Sequence, residues 1–177
     1  MAHDHVYALL AASCATLALG FALTACSPAV RPAATAASPL DVATARAAIA
    51  RELDDFHDAA ARADEPRYFA HFAPEAVFLG TDATERWNVT AFRAYAHPHF
   101  AAGKGWTYRS VRRDVSFAPS RSIAWFDEDL LGERVGPTRG AGVLVFRDGR
   151  WLIALYDLSI TVPNERFDAV KAVLDAK

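Results

Sequence analysis

Cysteine is nearly missing from this chain, and both copies lie close to its start. Cys14 and Cys26 are followed by about 150 residues without a thiol, so the rest of the chain can form neither an internal disulfide nor a thiolate metal site. Histidine is also scarce, and the pair His97 and His99 has no further histidine in the half of the chain that follows it. We therefore expect no metal centre and no cofactor.

An excess of charge of either sign is lacking too. The 19 Lys and Arg residues nearly balance the 21 Asp and Glu residues, which gives a formal net charge of −2. No basic run compensates, so nucleic acid is not an expected partner. The length of 177 residues and the 53% hydrophobic content suit one globular domain with a short appendage.

What the chain does have at its start is a targeting segment. Residues 6–25 are uncharged and rich in Ala and Leu, as in the apolar part of an export signal. Leu23-Thr24-Ala25-Cys26 resembles the lipobox of bacterial lipoproteins, in which a peptidase cuts before the cysteine and its thiol carries a diacylglycerol. We expect a signal peptide over residues 1–25 and a lipid anchor at Cys26 that holds the protein on a membrane of the bacterial cell envelope, facing the periplasm. An uncleaved span is the alternative.

An Ala- and Pro-rich tether over residues 26–40 leads into the expected domain, residues 41–177. Ser38 and Asp41 have the spacing of an N-terminal capping box. Apolar residues then recur at steps of three and four, which predicts a long amphipathic helix: Val42, Ala45, Ile49, Leu53, Phe56 and Ala60.

The remaining pattern predicts an α+β fold with the helices on one face of a bent sheet. A short helix capped by Asp64, a strand over residues 77–79 and a helix containing Pro98 come first. The period then changes to two, which predicts four consecutive antiparallel strands over residues 106–117, 123–131, 138–146 and 151–162. Asn164 can cap a last short helix.

Asp148-Gly149 between two apolar runs is a strong hairpin signal, because both central residues of a type I′ turn need positive φ. A regular ladder then fixes which residues share a face. The expected pairs on one face are Phe146 with Trp151, Leu144 with Ile153, Gly142 with Leu155, Gly140 with Asp157 and Thr138 with Ser159.

These residues carry a resemblance to a known family. The segments that carry it are residues 78–82, 85–87, 105–106, 124–128, 139–144 and 149–151, together with Ser159. They resemble the SnoaL-like branch of the cone-fold superfamily, which also contains nuclear transport factor 2, ketosteroid isomerase and scytalone dehydratase. The resemblance covers about residues 42–166 and implies a nuclear transport factor 2-like fold. In that fold a cone-shaped, curved antiparallel sheet wraps around the N-terminal helices and encloses an internal pocket, and homodimers commonly form through the outer sheet face.

Two carboxylates are the candidates for catalysis. Asp157 lies mid-strand among apolar residues, where loss of solvation raises a carboxyl pKa toward the range that a general acid or base needs. Asp127 follows Trp125 at a two-residue step and shares its strand face. Placed across the pocket, the two acids could take different pKa values, so that one donates a proton and the other accepts it. The alternative is that Asp157 is a cap, or pairs with an arginine near the rim.

The sequence therefore leaves two classes of function open. In the first, the domain only binds a small, largely apolar organic molecule; export and lipidation favour this reading. In the second, it is an acid/base enzyme of the isomerase, dehydratase or cyclase type; a buried acid favours this one. The candidate ligand-binding residues are Trp87, Tyr95, His99, Tyr108, Trp125 and Ser159.

Overall fold

The computed structural model describes residues 41–176, which belong to one compact unit, Ser38–Lys177. The expected signal peptide, Cys26 and the tether lie outside the described residues and stay predictions. Among residues 41–176, no helix combines the length and the apolar character that crossing a membrane requires.

The fold consists of helices and a six-stranded sheet, as the resemblance implies. The helices are α1 (Val42–Ala61), α2 (Glu65–Ala70), α3 (Val89–Ala101) and α4 (Phe167–Asp175), the last preceded by a 3-10 turn over Asn164–Arg166. The strands are β1 (Phe72–Leu79), β2 (Arg86–Asn88), β3 (Tyr108–Phe117), β4 (Ile123–Gly132), β5 (Gly136–Arg147) and β6 (Arg150–Ile160). The order across the sheet is β2-β1-β6-β5-β4-β3, and the predicted α+β cone is confirmed. All neighbours are antiparallel except β1 and β6, which run parallel.

Helix α1 supplies one side of the core through residues spaced as predicted. Ile49, Leu53 and Phe56 are fully or almost fully buried against the inner face of the sheet. The helix starts later than a capping box beginning at Ser38 would place it. Asp41 is itself the N-cap, since its carboxylate accepts a hydrogen bond of 2.8 Å from the Thr44 N–H.

The first strand is longer than the sequence indicated. β1 begins at Phe72, which pairs with Ile153 of β6, and an irregularity separates this contact from the regular pairing that begins at Val77. Residues 86–88 form the short strand β2 against the end of β1, where no strand was expected. The extension of β1 arises from its pairing with the distant β6, which local periodicity does not report.

The β5–β6 hairpin follows the prediction at its turn and departs from it further along. Asp148 and Gly149 have φ values of 51° and 82°, as a type I′ turn requires. Phe146 pairs with Trp151 and Leu144 with Ile153 as expected, but Val143 then pairs with Leu155. Ala154 is therefore an extra residue, a β-bulge that reverses which face the following residues occupy.

The expected pairing of Asp157 with Gly140 and of Ser159 with Thr138 is consequently wrong. Asp157 pairs with Ala141, and Ser159 pairs with Arg139. Tyr156 takes the inward position and is 2% exposed. The bulge lies next to a close approach at Gly142, where a Cβ would overlap the Leu155 carbonyl oxygen.

Candidate ligand-binding pocket

A pocket of about 610 Å³ lies between α3, the β1–β2 end of the sheet and two loops. The loops are the segment that follows α3 and the turn between β4 and β5. Its lining includes Phe78, Glu85, Trp87, Phe92, Tyr95, His99, Lys104, Trp106, Tyr108, Glu133, Arg134 and Leu158.

One wall of the pocket is a stack of nearly parallel aromatic rings. Phe78 and Phe92 have ring centroids 3.9 Å apart at an interplanar angle of 15°. Trp87 lies 5.5 Å from Phe92 at 12° and 4.6 Å from Tyr95 at 25°. Asn88 caps the start of α3, because its side-chain oxygen accepts a 2.9 Å hydrogen bond from the Ala91 N–H. Phe92 and Tyr95 then follow at a three-residue step and share one face of the helix.

Trp106 and Tyr108 line the pocket beside this stack. The loop that carries Trp106 packs so closely on the end of α1 that a Cβ at Gly105 would overlap the Ala60 carbonyl oxygen. The Trp106 ring lies 6.2 Å from Phe92 at an angle of 27°, so it roughly continues the direction of the stack. Burial raises the pKa of Tyr108, and the positive charge of Arg134 opposes this rise.

Four charged side chains line the same pocket. Lys104 and Arg134 form no ion pair within the described part of the chain. Glu85 is turned toward its own loop, where it accepts a hydrogen bond of 3.2 Å from the Asp82 N–H and crowds the space beside Gly80. Glu133 is exposed next to Arg134.

The structure brings four of the six candidate ligand-binding residues together. Trp87, Tyr95, His99 and Tyr108 line the pocket, while Trp125 lies on the outer face of the sheet and is 50% exposed. Ser159 also faces outward, as a result of the bulge in β6. Ligand binding by the four pocket residues stays a prediction.

The two candidate catalytic acids do not enter the pocket. Asp127 and Asp157 are both paired with Ala141, so they flank it on the outer face of the sheet. Asp127 lies 3.1 Å from the Arg112 guanidinium, and Asp157 accepts a 3.0 Å hydrogen bond from the Ser159 hydroxyl. The bulge turns Asp157 outward, and Asp127 faces outward because its neighbour Glu128 takes the inward position. The desolvated acid pair expected across the cavity is therefore not formed.

Glu128 is the acidic residue that the sequence reasoning missed. It is 0% exposed, and its carboxylate lies 2.7 Å from His57 Nε2. The Tyr156 hydroxyl donates to it at 3.0 Å, and Arg113 Nε donates at 2.8 Å. Burial opposes ionisation, but the hydrogen bond and charge of His57 together with Arg113 hold the pKa of Glu128 below its ordinary value.

This buried cluster lies beside the pocket residue Leu158 on the inner face of the sheet. Glu128 pairs with Gly140, and Gly140 pairs with Leu158, whose side chain lines the pocket wall. The cluster ties α1 to three strands of the sheet. The signal that could have found it is the alternation Phe126, Glu128, Leu130, in which the acid shares the apolar face.

Residues 41–176 contain no group of three or more His, Cys, Asp or Glu side chains arranged to hold a metal ion.

Comparison with known proteins gives one family match and several structural matches. The family model of the SnoaL-like domain matches residues 49–163. No curated protein matches the chain.

Three solved structures illustrate the structural likeness. One, provisionally described as a scytalone dehydratase from Novosphingobium aromaticivorans DSM 12444, is 15% identical with a TM-score of 0.60; the match covers 68% of this chain and 86% of that one. An NTF2-like protein of unknown function from Pseudomonas putida KT2440 is 14% identical with a TM-score of 0.59, covering 70% and 91%.

The third, provisionally described as an aromatic ring hydroxylase from Novosphingobium aromaticivorans, is 17% identical with a TM-score of 0.60, covering 68% of this chain and 92% of that one. At these identities the likeness shows the fold alone.

Proposed function

The chain belongs to the SnoaL-like domain family, and from that premise we propose that its domain binds a small, largely apolar organic molecule in the aromatic pocket. The observation that carries this proposal is the ring stack that runs from the buried Phe78 to Tyr95, which is 45% exposed. A volume of about 610 Å³ lies within the range of small-molecule sites.

The energetics of such a site are those of apolar burial against rigid rings. Removing roughly 200 Å² of apolar ligand surface from water contributes about 5 kcal/mol, before the cost of immobilising the ligand is subtracted. Aromatic ligands gain further from offset or edge contacts with the wall. We therefore expect dissociation constants of roughly 0.1 to 1 mM for such probes.

The positions of Asp127, Asp157 and Glu128 favour a binding function over the alternative, in which the domain is an acid/base enzyme of the isomerase, dehydratase or cyclase type. A general acid or base must lie within hydrogen-bond reach of its substrate. Asp127 and Asp157 are on the outer face, and Glu128 is fully buried among three hydrogen-bond partners and is not part of the pocket lining. The carboxylates proposed for proton transfer are thus out of reach of a ligand in the pocket.

The proposal is tested by binding of 2-naphthamide to the full-length protein, measured by calorimetry and by thermal shift. We expect Tyr95→Ala to weaken binding by about 10-fold, because it removes the exposed end of the stack. Trp125→Ala is the matched control, since it removes an exposed aromatic ring outside the pocket and should leave affinity unchanged. Absence of binding at millimolar 2-naphthamide, or equal loss in both variants, would contradict the proposal.

For the whole chain we propose anchoring in the bacterial cell envelope, with the domain facing the periplasm. The support is the apolar leader that ends in Leu23-Thr24-Ala25-Cys26. Expression in a bacterial host with an alkyne-labelled fatty acid should label the native protein and the Cys14→Ser variant, while Cys26→Ser should lose the label. Labelling that persists in Cys26→Ser, or that never occurs, would count against the anchor.

A further inference from the structure

The lining of the aromatic pocket includes two cations, one on each of two neighbouring loops. Lys104 and Arg134 both line it, and neither forms an ion pair with any residue among 41–176. Of the fourteen other arginines of this range, seven are paired with carboxylates: Arg62, Arg67, Arg93, Arg112, Arg113, Arg147 and Arg150.

Backbone hydrogen bonds hold the two cation-bearing loops together. The Lys104 N–H donates to the His99 carbonyl at 2.9 Å, which fixes the loop at the end of α3. The Glu133 N–H, next to Arg134, donates to the Thr107 carbonyl at 3.2 Å. Both cations therefore extend from one loop pair on the side of the pocket where Trp106 and Tyr108 lie.

The acidic residues of the lining do not neutralise this loop pair. Glu85 lies on the β1–β2 loop and is engaged with the Asp82 N–H. Glu133 is the remaining acid, so the loop pair itself carries two cations and one carboxylate. An exposed guanidinium and an exposed ammonium beside an apolar wall form a receptor for a single anionic group.

We propose that the ligand class of this pocket is a planar aromatic carboxylic acid, whose rings lie against the Phe78–Phe92–Trp87–Tyr95 stack and whose carboxylate is received by Lys104 and Arg134. This inference rests on the proposed function and specifies the chemistry of its ligand. Aromatic rings favour stacking or edge contacts with a flat aromatic molecule, and the two cations can form charge-assisted hydrogen bonds with its carboxylate. A neutral ligand of the same shape would leave both cations unpaired.

The test compares 2-naphthoate with 2-naphthamide, which have the same ring system and differ in charge at pH 7. Calorimetry on the full-length protein at low salt should show about 10-fold tighter binding of the naphthoate, with the advantage shrinking at 0.5 M salt. The double variant Lys104→Gln, Arg134→Gln should lose that advantage and keep its affinity for the amide. Lys171→Gln, a lysine on α4 outside the lining, is the matched control and should behave like the native protein.

The outcomes separate the two proposals. Equal affinity of the native protein for both probes would overturn the acidic ligand class and leave the apolar pocket standing. A preference for naphthoate that survives in the double variant would also overturn the proposed ligand class, because groups other than Lys104 and Arg134 would then attract the carboxylate. If neither probe binds, the proposed function itself fails and the ligand class fails with it. Both substitutions are at exposed positions, and a thermal melt verifies that the variants fold.

Discussion

Glu128 is stable as a buried anion because both of its oxygens are used. His57 and Tyr156 contact one oxygen and Arg113 contacts the other. Arg113 reaches further, to the Ala50 carbonyl at 3.1 Å and to Asp54 at 2.9 Å. Desolvating such charges costs several kcal/mol, and only close geometry with satisfied hydrogen bonds offsets it. The cluster therefore favours one arrangement of α1 on the sheet over others.

Replacing Glu128 by Gln should destabilise the domain by about 3–5 kcal/mol, because it leaves Arg113 with a neutral partner in the core. The measurement is urea unfolding followed by tryptophan fluorescence. Asp127→Asn is the matched control: it removes the neighbouring carboxylate, which faces outward beside Arg112, and should cost less than about 1 kcal/mol. Similar losses in both variants would show that the buried cluster has no special energetic role.

The same group gives a pH dependence with a definite sign. The pKa of Glu128 is lowered from its ordinary value of 4.5 in the folded state. A lowered folded pKa contributes stability that is present above the unfolded pKa and is lost as pH falls through the folded value. The difference in unfolding free energy between the native protein and Glu128→Gln should therefore shrink as pH falls below about pH 4. A difference that is independent of pH down to pH 3 would contradict the ionised state of Glu128.

At the scale of elements, the β5–β6 hairpin separates what the sequence could predict from what it could not. The Asp148-Gly149 turn is a local property, and its positive φ values match the prediction. The bulge at Ala154 is not local, since it depends on the contact of Gly142 with the Leu155 backbone and on the space that Tyr156 needs. One inserted residue reversed the faces of Asp157 and Ser159, so the fold was predictable while the inward acid was misassigned.

Gly140 is the position in β5 that leaves room for the buried cluster. A Cβ there would overlap the Tyr156 hydroxyl and would lie 3.0 Å from Glu128 Cγ. We expect Gly140→Ala to cost about 2 kcal/mol through overpacking. In a Tyr156→Phe background the cost should fall by about 1 kcal/mol, because the main obstacle is gone. A double-mutant cycle in urea measures the coupling, and strictly additive losses would contradict this account.

At the scale of the whole molecule, the outer face of the sheet is divided into an apolar and a polar half. Trp125 and Ile123 are 50% and 42% exposed. Trp125 pairs with Val143 and Ile123 pairs with Val145 on the next strand, which gives two apolar rows across the outer face. Beyond Asp127 the surface turns polar, with Arg112 bridging the acids of β3 and β4. Among the described elements, α1, α2 and α3 pack on the inner side, and α4 contacts the 3-10 turn before it. The apolar rows are therefore left open to solvent.

A second copy of the chain is the occupant that suits this face, because a two-fold axis sets each apolar half against its equivalent and leaves the Arg112 cluster at the rim. We propose such a homodimer and expect the native protein to sediment with twice the mass of its single mature chain. Trp125→Arg places a charge in the centre of the contact and should yield monomers in sedimentation velocity at micromolar concentration. Val173→Arg, on α4 at 74% exposure, is the matched control and should stay dimeric. A native monomer, or dissociation by Val173→Arg alone, would contradict the sheet-face contact, since the apolar rows would then play no part in assembly.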